Sequence, residues 1–238
     1  MNSSPSDQVP LRNRLLLALP DKEYELLAAH LQLVPLSLSE VLCEAGTSFK
    51  YAYFVNRGIV SLLSSTLGGE TVEIGMVGSE GMVGLPALLN DGSMPYRTVV
   101  QLAGEAFRVK MDVLKDIFSR CGPLHDLLIG YLHPLITQFT QSGLCNHYHT
   151  IHERLCRWLL ILHDHAETNT VELTQELIAH MLGVHRTGVS LAAGELQASG
   201  LIRYSRGKIT ILDRDSIEVA SCECYRVVKD GYDQFFKK

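Results

Sequence analysis

Nothing in the chain is long and apolar enough to cross a bilayer. No apolar run approaches the ~20 residues a spanning helix needs. The short stretch 15–19 is followed at once by Asp21, Lys22 and Glu23 and is too brief for a signal-peptide core. A soluble, cytoplasmic protein with no membrane partner is expected. The chain also lacks an excess of positive charge. Its formal net charge is -5, so a nucleic-acid footprint must be local if there is one. The six cysteines, Cys43, Cys121, Cys145, Cys156, Cys222 and Cys224, form no CxxC pair. That argues against a zinc ribbon or a dithiol redox motif, and free thiols are the default in a reducing cytoplasm. GxSxG, P-loop and HExxH patterns are missing as well. No enzyme, no catalytic residue, no metal and no cofactor is expected.

What is present is the composition of a folded protein. Of the 238 residues, 46% are hydrophobic and 20% charged, enough for one large or two ordinary domains with a real core. Residues 15–33 read as short helices broken by Pro20, and Pro35 ends that segment. Short apolar runs then alternate with Gly-bearing turns, at 51–55, 59–63, 72–77, 98–102 and 106–109. Asn56-Arg57-Gly58, Leu67-Gly68-Gly69 and Asn90-Asp91-Gly92 are the punctuation. Such spacing predicts an antiparallel barrel or roll.

A short helix is expected over 111–120 and a long one from Gly122-Pro123 to His149. In the long helix Leu124, Leu128, Tyr131 and Leu135 are spaced like a coiled-coil seam, which Gln138, Ser142 and Cys145 continue. Spacing alone leaves two readings open: a helix packed on its own barrel, or a dimer helix. Pro134 predicts a kink or break. A second amphipathic helix covers 151–166, and a loop covers 167–170.

The most informative stretch is 173–190. Thr174 is a good N-cap, Leu177, Ile178, Met181 and Leu182 make a buried face, and Gly183 supplies a tight turn. In the next helix, about 185–198, Val189, Ala192, Ala193 and Leu196 form one buried stripe. That stripe leaves His185, Arg186, Thr187 and Ser190 facing outward at the helix start, the part that a helix-turn-helix puts into the major groove. Arg suits guanine, and Ser or Thr suits several base edges. Two short strands around Arg206-Gly207 make a wing, in which Arg203, Arg206 and Lys208 suit phosphate. Thr174 and Gln175, at the start of the first helix, complete the expected DNA-binding set.

At these residues the chain resembles the Crp/Fnr family of bacterial transcription regulators. The resemblance is carried by Leu173-Thr174-Gln175-Glu176, the turn Met181-Leu182-Gly183-Val184, and Gly200-Leu201-Ile202 with Arg206-Gly207. Glu44-Ala45-Gly46, Tyr53-Phe54-Val55, Gly58 and the stretch Gly75 to Gly84 resemble its N-terminal half. The resemblance implies an α+β chain in three parts. These are an antiparallel β-roll of the cyclic-nucleotide-binding, jelly-roll type over 12–121, a dimerisation helix over 122–149, and a winged helix-turn-helix domain over 150–238. It implies a homodimer on a palindromic duplex, with RNA polymerase as a further partner, and it raises the dimer reading of Leu124 to Leu135.

The reading face departs from the family pattern. Arg186 matches the first Arg of the usual trio, Thr187 stands in place of a Glu, Leu191 in place of a second Arg, and Gly188 in place of a residue that can touch phosphate. A different operator is expected, with Leu191 suited to a thymine methyl. The effector site of nucleotide-binding members needs a Gly-Glu pair and an Arg-Ser or Arg-Thr pair. Here Gly84 is followed by Leu85, and only Arg97-Thr98 resembles the second half. Leu cannot accept a ribose hydroxyl bond, so cAMP is expected to bind weakly or not at all, and any small-molecule effector is unknown. The alternative is a ligand, redox or metal sensor that uses the roll or a Cys145, His149 and His152 face. Against it stand a plain solvated helix face and an inert Cys222-Glu223-Cys224.

Overall fold

The structure is a computed structural model and describes residues 9–166 and 168–237. The described residues open with two short helices, α1 (Arg14–Leu17) and α2 (Asp21–Ala28). Strands β1 (Gln32–Leu36), β2 (Val41–Cys43), β3 (Tyr51–Ser65), β4 (Thr71–Val77) and β5 (Met82–Val83) follow. Next come helix α3 (Leu85–Leu89), strand β6 (Arg97–Lys110) and helix α4 (Met111–Phe118). These six strands form one antiparallel sheet in the order β1-β6-β3-β4, with β2 on β6 and β5 on β3. This is the roll expected from the turn spacing.

Two expectations change here. Asn56-Arg57-Gly58 is not a turn, because β3 runs through it. The register against β6 slips at Arg57 and again before Val60. Gly58 sits at φ +88°, and a Cβ there would lie 2.4 Å from the Leu102 carbonyl oxygen. Gly58 therefore marks a bulge where two long strands bend together. Pro35 does not end the first segment either. It lies inside β1, at the sheet edge, where a missing N–H is tolerated.

Helix α5 (Pro123–Tyr148) passes through Pro134 without a break. The apolar side chains buried around Pro134 offset the ~3 kcal/mol that a proline costs in a helix interior. The seam residues Leu124, Leu128, Tyr131 and Leu135 are buried within the protomer, in the same core as the roll, Val228 and Tyr232. Gln138 explains why the stripe turns polar, since its Oε1 accepts from the Met76 backbone N–H of edge strand β4 at 2.8 Å. The residues that suggested a dimer seam are therefore unavailable to a partner. Periodicity shows that a stripe is covered, but not by what.

Helix α6 (Ile151–His165) starts with a capping box between Thr150 and Glu153. Strand β7 (Thr170–Glu172), helix α7 (Gln175–Leu182), helix α8 (Arg186–Ala198), strand β8 (Ile202–Ser205) and strand β9 (Lys208–Ile211) form the helix-turn-helix and its wing. Of the loop expected over 167–170, Glu167 lies outside the described residues, and Thr170 already belongs to β7. The wing is a three-stranded sheet, β7-β9-β8. Two helices not anticipated from the sequence end the chain, α9 (Arg214–Ala220) and α10 (Cys224–Phe236). Helix α10 returns to pack on α5, burying Tyr225, Val228 and Tyr232. Their spacing of three and four was the available signal.

The roll and the winged unit share one apolar cluster, in which Ile59, Leu63 and Met76 meet Trp158, Leu182 and Val189. At its centre Glu73 of β4 is buried, accepting from Ser61 Oγ at 2.5 Å and Trp158 Nε1 at 3.0 Å.

Candidate nucleic-acid interface

Thr174 caps α7: its Oγ1 accepts from the Leu177 N–H at 3.1 Å. At the other end Gly183 takes φ +61°, and the Val184 N–H returns to the Ala179 carbonyl at 3.0 Å. This is the 6→1 closure of a Schellman turn, which a glycine makes without strain. Buried Arg154 of α6 donates to the Leu182 carbonyl and to Asn146 Oδ1. Its charge thus sits on the negative end of α7 and holds the turn from beneath.

Helix α8 follows with Val189, Ala192, Ala193 and Leu196 buried, as the stripe requires. His185 is its N-cap and makes no side-chain cap bond, and the first turn carries no acid. The opening N–H groups are therefore left for an anion. His185, Arg186 and Thr187 are exposed, and Leu191 is 70% exposed, an unusual position for a leucine. One residue departs from expectation. Ser190 is half-buried, and its hydroxyl donates to Gln175 Oε1 at 2.6 Å, so it ties α8 to α7 instead of standing free. Gly188 turns toward α6, where a Cβ would lie 2.5 Å from Ile151 Cδ1. It is a packing position, and no side chain there would reach phosphate.

In the wing, Arg206 and Gly207 take φ +50° and +74° between β8 and β9. Positive φ at both positions makes the two-residue type I′ turn that matches strand twist. Ile202 pairs with Ile211 and Tyr204 with Ile209 on the inner face, so Arg203, Ser205, Lys208 and Thr210 share the outer one. Tyr204 joins wing to helices: its N–H donates to Gln197 Oε1 at 2.7 Å and its hydroxyl to the Leu173 carbonyl at 2.9 Å. Burial raises the Tyr204 pKa, and the Arg186 charge opposes that rise. Lys208 is not a free cation. Its neighbour across β7–β9 is Glu172, 2.8 Å from its Nζ. A charge count along the sequence misses Glu172 because it lies outside the helix-and-wing segment.

The effector half-site looks different from the resemblance. Arg97 is ion-paired with Glu44 at 3.2 Å, and Thr98 is fully buried. Gly84 sits at φ +114° with the Phe49 ring where a Cβ would go, and Leu85 is buried in the core. The cysteine–histidine face is also rearranged. Helix α5 ends at Tyr148 and α6 starts after Thr150, so Cys145, His149 and His152 are not on one helix. Instead Cys145 and His149 meet Cys222 and Cys224. Among these, the Cys222 thiol beside it, with Arg157 and His149 nearby, holds Cys145 well below the usual thiol range.

Comparison with known proteins agrees with this layout. The model of the cyclic nucleotide-binding domain matches residues 33–121, and that of the Crp-like helix-turn-helix domain matches residues 153–219, together more than half of the chain. No curated protein matches. A Crp/Fnr-family putative transcriptional regulator from Eubacterium rectale is 18% identical, covering 87% of this chain and 96% of its own, with a TM-score of 0.68. FixK2 from Bradyrhizobium japonicum is 17% identical, covering 81% and 98%, with a TM-score of 0.67. The c-di-GMP responsive global regulator CLP from Xanthomonas campestris is 18% identical, covering 81% and 99%, with a TM-score of 0.63. These structures share the fold. The two matched domain models together define a DNA-binding transcription regulator, and the chain belongs to the Crp/Fnr family.

Proposed function

We propose that two copies of this chain bind a palindromic duplex, each laying the start of α8 into the major groove and the Arg206-Gly207 tip along the backbone. The observation that carries this reading is the uncapped first turn of α8, with Arg186 exposed at its start. Arg186 is the side chain suited to guanine, Thr187 and Leu191 flank it as thymine-compatible contacts, and Arg203 and Arg206 serve phosphates. Thr174, Gln175 and Ser190 support the helices, and their polar atoms are already largely engaged.

The dimer forms through the other face of α5. Ile129, Ile136 and Leu144 are exposed there, with half-buried Leu132 between them. Spacings of three and four along 129, 132 and 136 supply the apolar seam that Leu124 to Leu135 cannot. Cyclic nucleotide is not the signal on this reading, because Leu85 offers no carboxylate and Arg97 already holds Glu44. The protein works in the cytoplasm beside RNA polymerase, a placement supported by its family. Among the described residues no helix is long and apolar enough to cross a membrane.

The test is selection of bound duplexes from a random pool by the full chain, followed by gel shifts. A palindromic consensus with half-sites one helical turn apart is expected. Binding with no enriched sequence would refute it.

A further inference from the structure

Four ligand atoms converge where the long helix ends and the last helix begins. Cys145 Sγ, His149 nitrogen, Cys222 Sγ and Cys224 Sγ all lie within 4.8 Å of one another. Cys145 and His149 come from the end of α5, Cys222 and Cys224 from the α9–α10 junction. All three thiols are free and buried.

We infer that Cys145, His149, Cys222 and Cys224 form a closed, four-coordinate site for a thiophilic divalent cation, Zn²⁺ by ligand chemistry. The set is Cys₃His, a common structural zinc combination. Metal–sulfur bonds near 2.3 Å and metal–nitrogen bonds near 2.0 Å in a tetrahedron put two sulfurs about 3.8 Å apart and sulfur and nitrogen about 3.5 Å apart. Cys145 and Cys222 sulfurs are 3.5 Å apart, and Cys224 Sγ is 3.5 Å from His149 Nδ1. Small movements of side chains would close the shell.

The outer groups fit the same reading. His149 presents Nδ1 to the sulfurs while its Nε2 lies 3.3 Å from the Glu223 carboxylate. A carboxylate on the far nitrogen fixes the tautomer and orients the ring, as it does for most metal-bound histidines. Gln141 Nε2 donates to Cys224 Sγ at 3.2 Å, a bond that suits a thiolate. Buried Arg154 donates to Asn146 Oδ1, one residue from Cys145, and buried Arg157 follows it on α6. Binding balances simply: the cation displaces the three thiol protons, histidine coordinates as the neutral ring, and the site carries one net negative charge that the two arginines offset. A pair of sulfurs at 3.5 Å is not a disulfide, whose bond is near 2.05 Å.

The site has a mechanical consequence. Cys145 and Cys222 are 77 residues apart, and the segment between them contains the whole helix-turn-helix and wing. A metal there ties the end of the DNA-binding unit back to the long helix that precedes it.

The test is the metal content of the full chain, purified under a reductant after growth with zinc, and measured without DNA. About one zinc per chain is expected. Replacing it with cobalt should give thiolate-to-cobalt charge-transfer bands and the strong d–d bands of a tetrahedral ion. Cys222→Ser and Cys224→Ser should lose the metal, His152→Ala and Cys43→Ser should keep it, and Glu223→Gln should weaken affinity about 10-fold or more. The wild-type cobalt spectrum decides the matter even if a cysteine variant fails to fold. Reduced wild-type protein without zinc and with only an octahedral cobalt spectrum would overturn the site. So would metal retained in soluble Cys222→Ser, or a metal-free protein whose only cross-link is Cys145–Cys222. Failure of this site would leave the DNA-binding reading untouched, because no readout involves DNA.

Discussion

Trp158 Nε1 donates to the Glu73 carboxylate at 3.0 Å, joining the first helix of the winged unit to edge strand β4 of the roll. Burial pushes Glu73 from its ordinary 4.5 up to about 7, against the opposing pull of the Ser61 bond, the Arg157 charge and the Trp158 bond. The folded state therefore holds this proton more tightly than the unfolded state. Its stabilising contribution is complete below about pH 4.5 and is lost as pH rises toward 7, by on the order of 3 kcal/mol. Glu73→Gln keeps an acceptor for the Trp158 N–H, lets its amide N–H donate to the Ser61 hydroxyl, and cannot ionise. Melting temperatures of wild type and variant should converge at pH 5, with the wild type falling behind by pH 7.5. Parallel curves across that range would show that Glu73 does not titrate there.

Arg186 and Arg206 should separate by type of effect. Arg186→Ala is expected to cost about 1–3 kcal/mol on the selected operator and to relax preference at one base pair in each half-site. Arg206→Ala should weaken all sequences alike and flatten the salt dependence by about one ion per chain. Competition gel shifts at several salt concentrations distinguish the two.

Glu172 predicts an unusual gain. It faces Lys208 at 2.8 Å, and each group shifts the other's pKa in the sense that favours its charge. Glu172→Gln frees Lys208 for phosphate and removes a repelling charge, so non-specific DNA binding should strengthen and its salt slope steepen. Lys208→Ala should do little by comparison. Fluorescence anisotropy on a scrambled duplex reads both.

The two faces of α5 should respond differently. Leu128→Ala opens a cavity in the roll core and should cost about 2–5 kcal/mol. Ile136→Glu alters an exposed position, so under conditions where both proteins are monomeric its melting temperature should match the wild type's, while sedimentation at higher concentration should show loss of the proposed dimer. Dimers that survive Ile136→Glu would move the interface elsewhere.

Gly183→Ala places a Cβ at φ +61° and 3.1 Å from Val72 Cγ2. The strain of a left-handed non-glycine residue is about 1–2 kcal/mol. Chemical denaturation should report at least that loss, with operator affinity falling as the turn between α7 and α8 opens.

Local chemistry was enough to place much of this protein. Thr174, Gly183, the stripe Val189 to Leu196, and Arg206-Gly207 announce cap, turn, buried face and hairpin, because each depends on backbone geometry within a few residues. The family resemblance rests on those same residues. The pairings had to wait for the fold. A heptad spacing cannot say whether Leu128 and Tyr131 meet a partner or their own roll, and glycine at 58 reads alike as turn or bulge until its cross-strand neighbour is known. The sequence by itself determined the helix-turn-helix, its wing and the exposed Arg186, since these follow from short-range periodicity and turn chemistry. Only the tertiary structure decided that Glu172 meets Lys208, that Trp158 reaches Glu73, and that Cys145 and His149 meet Cys222 and Cys224, because those contacts join residues far apart along the chain.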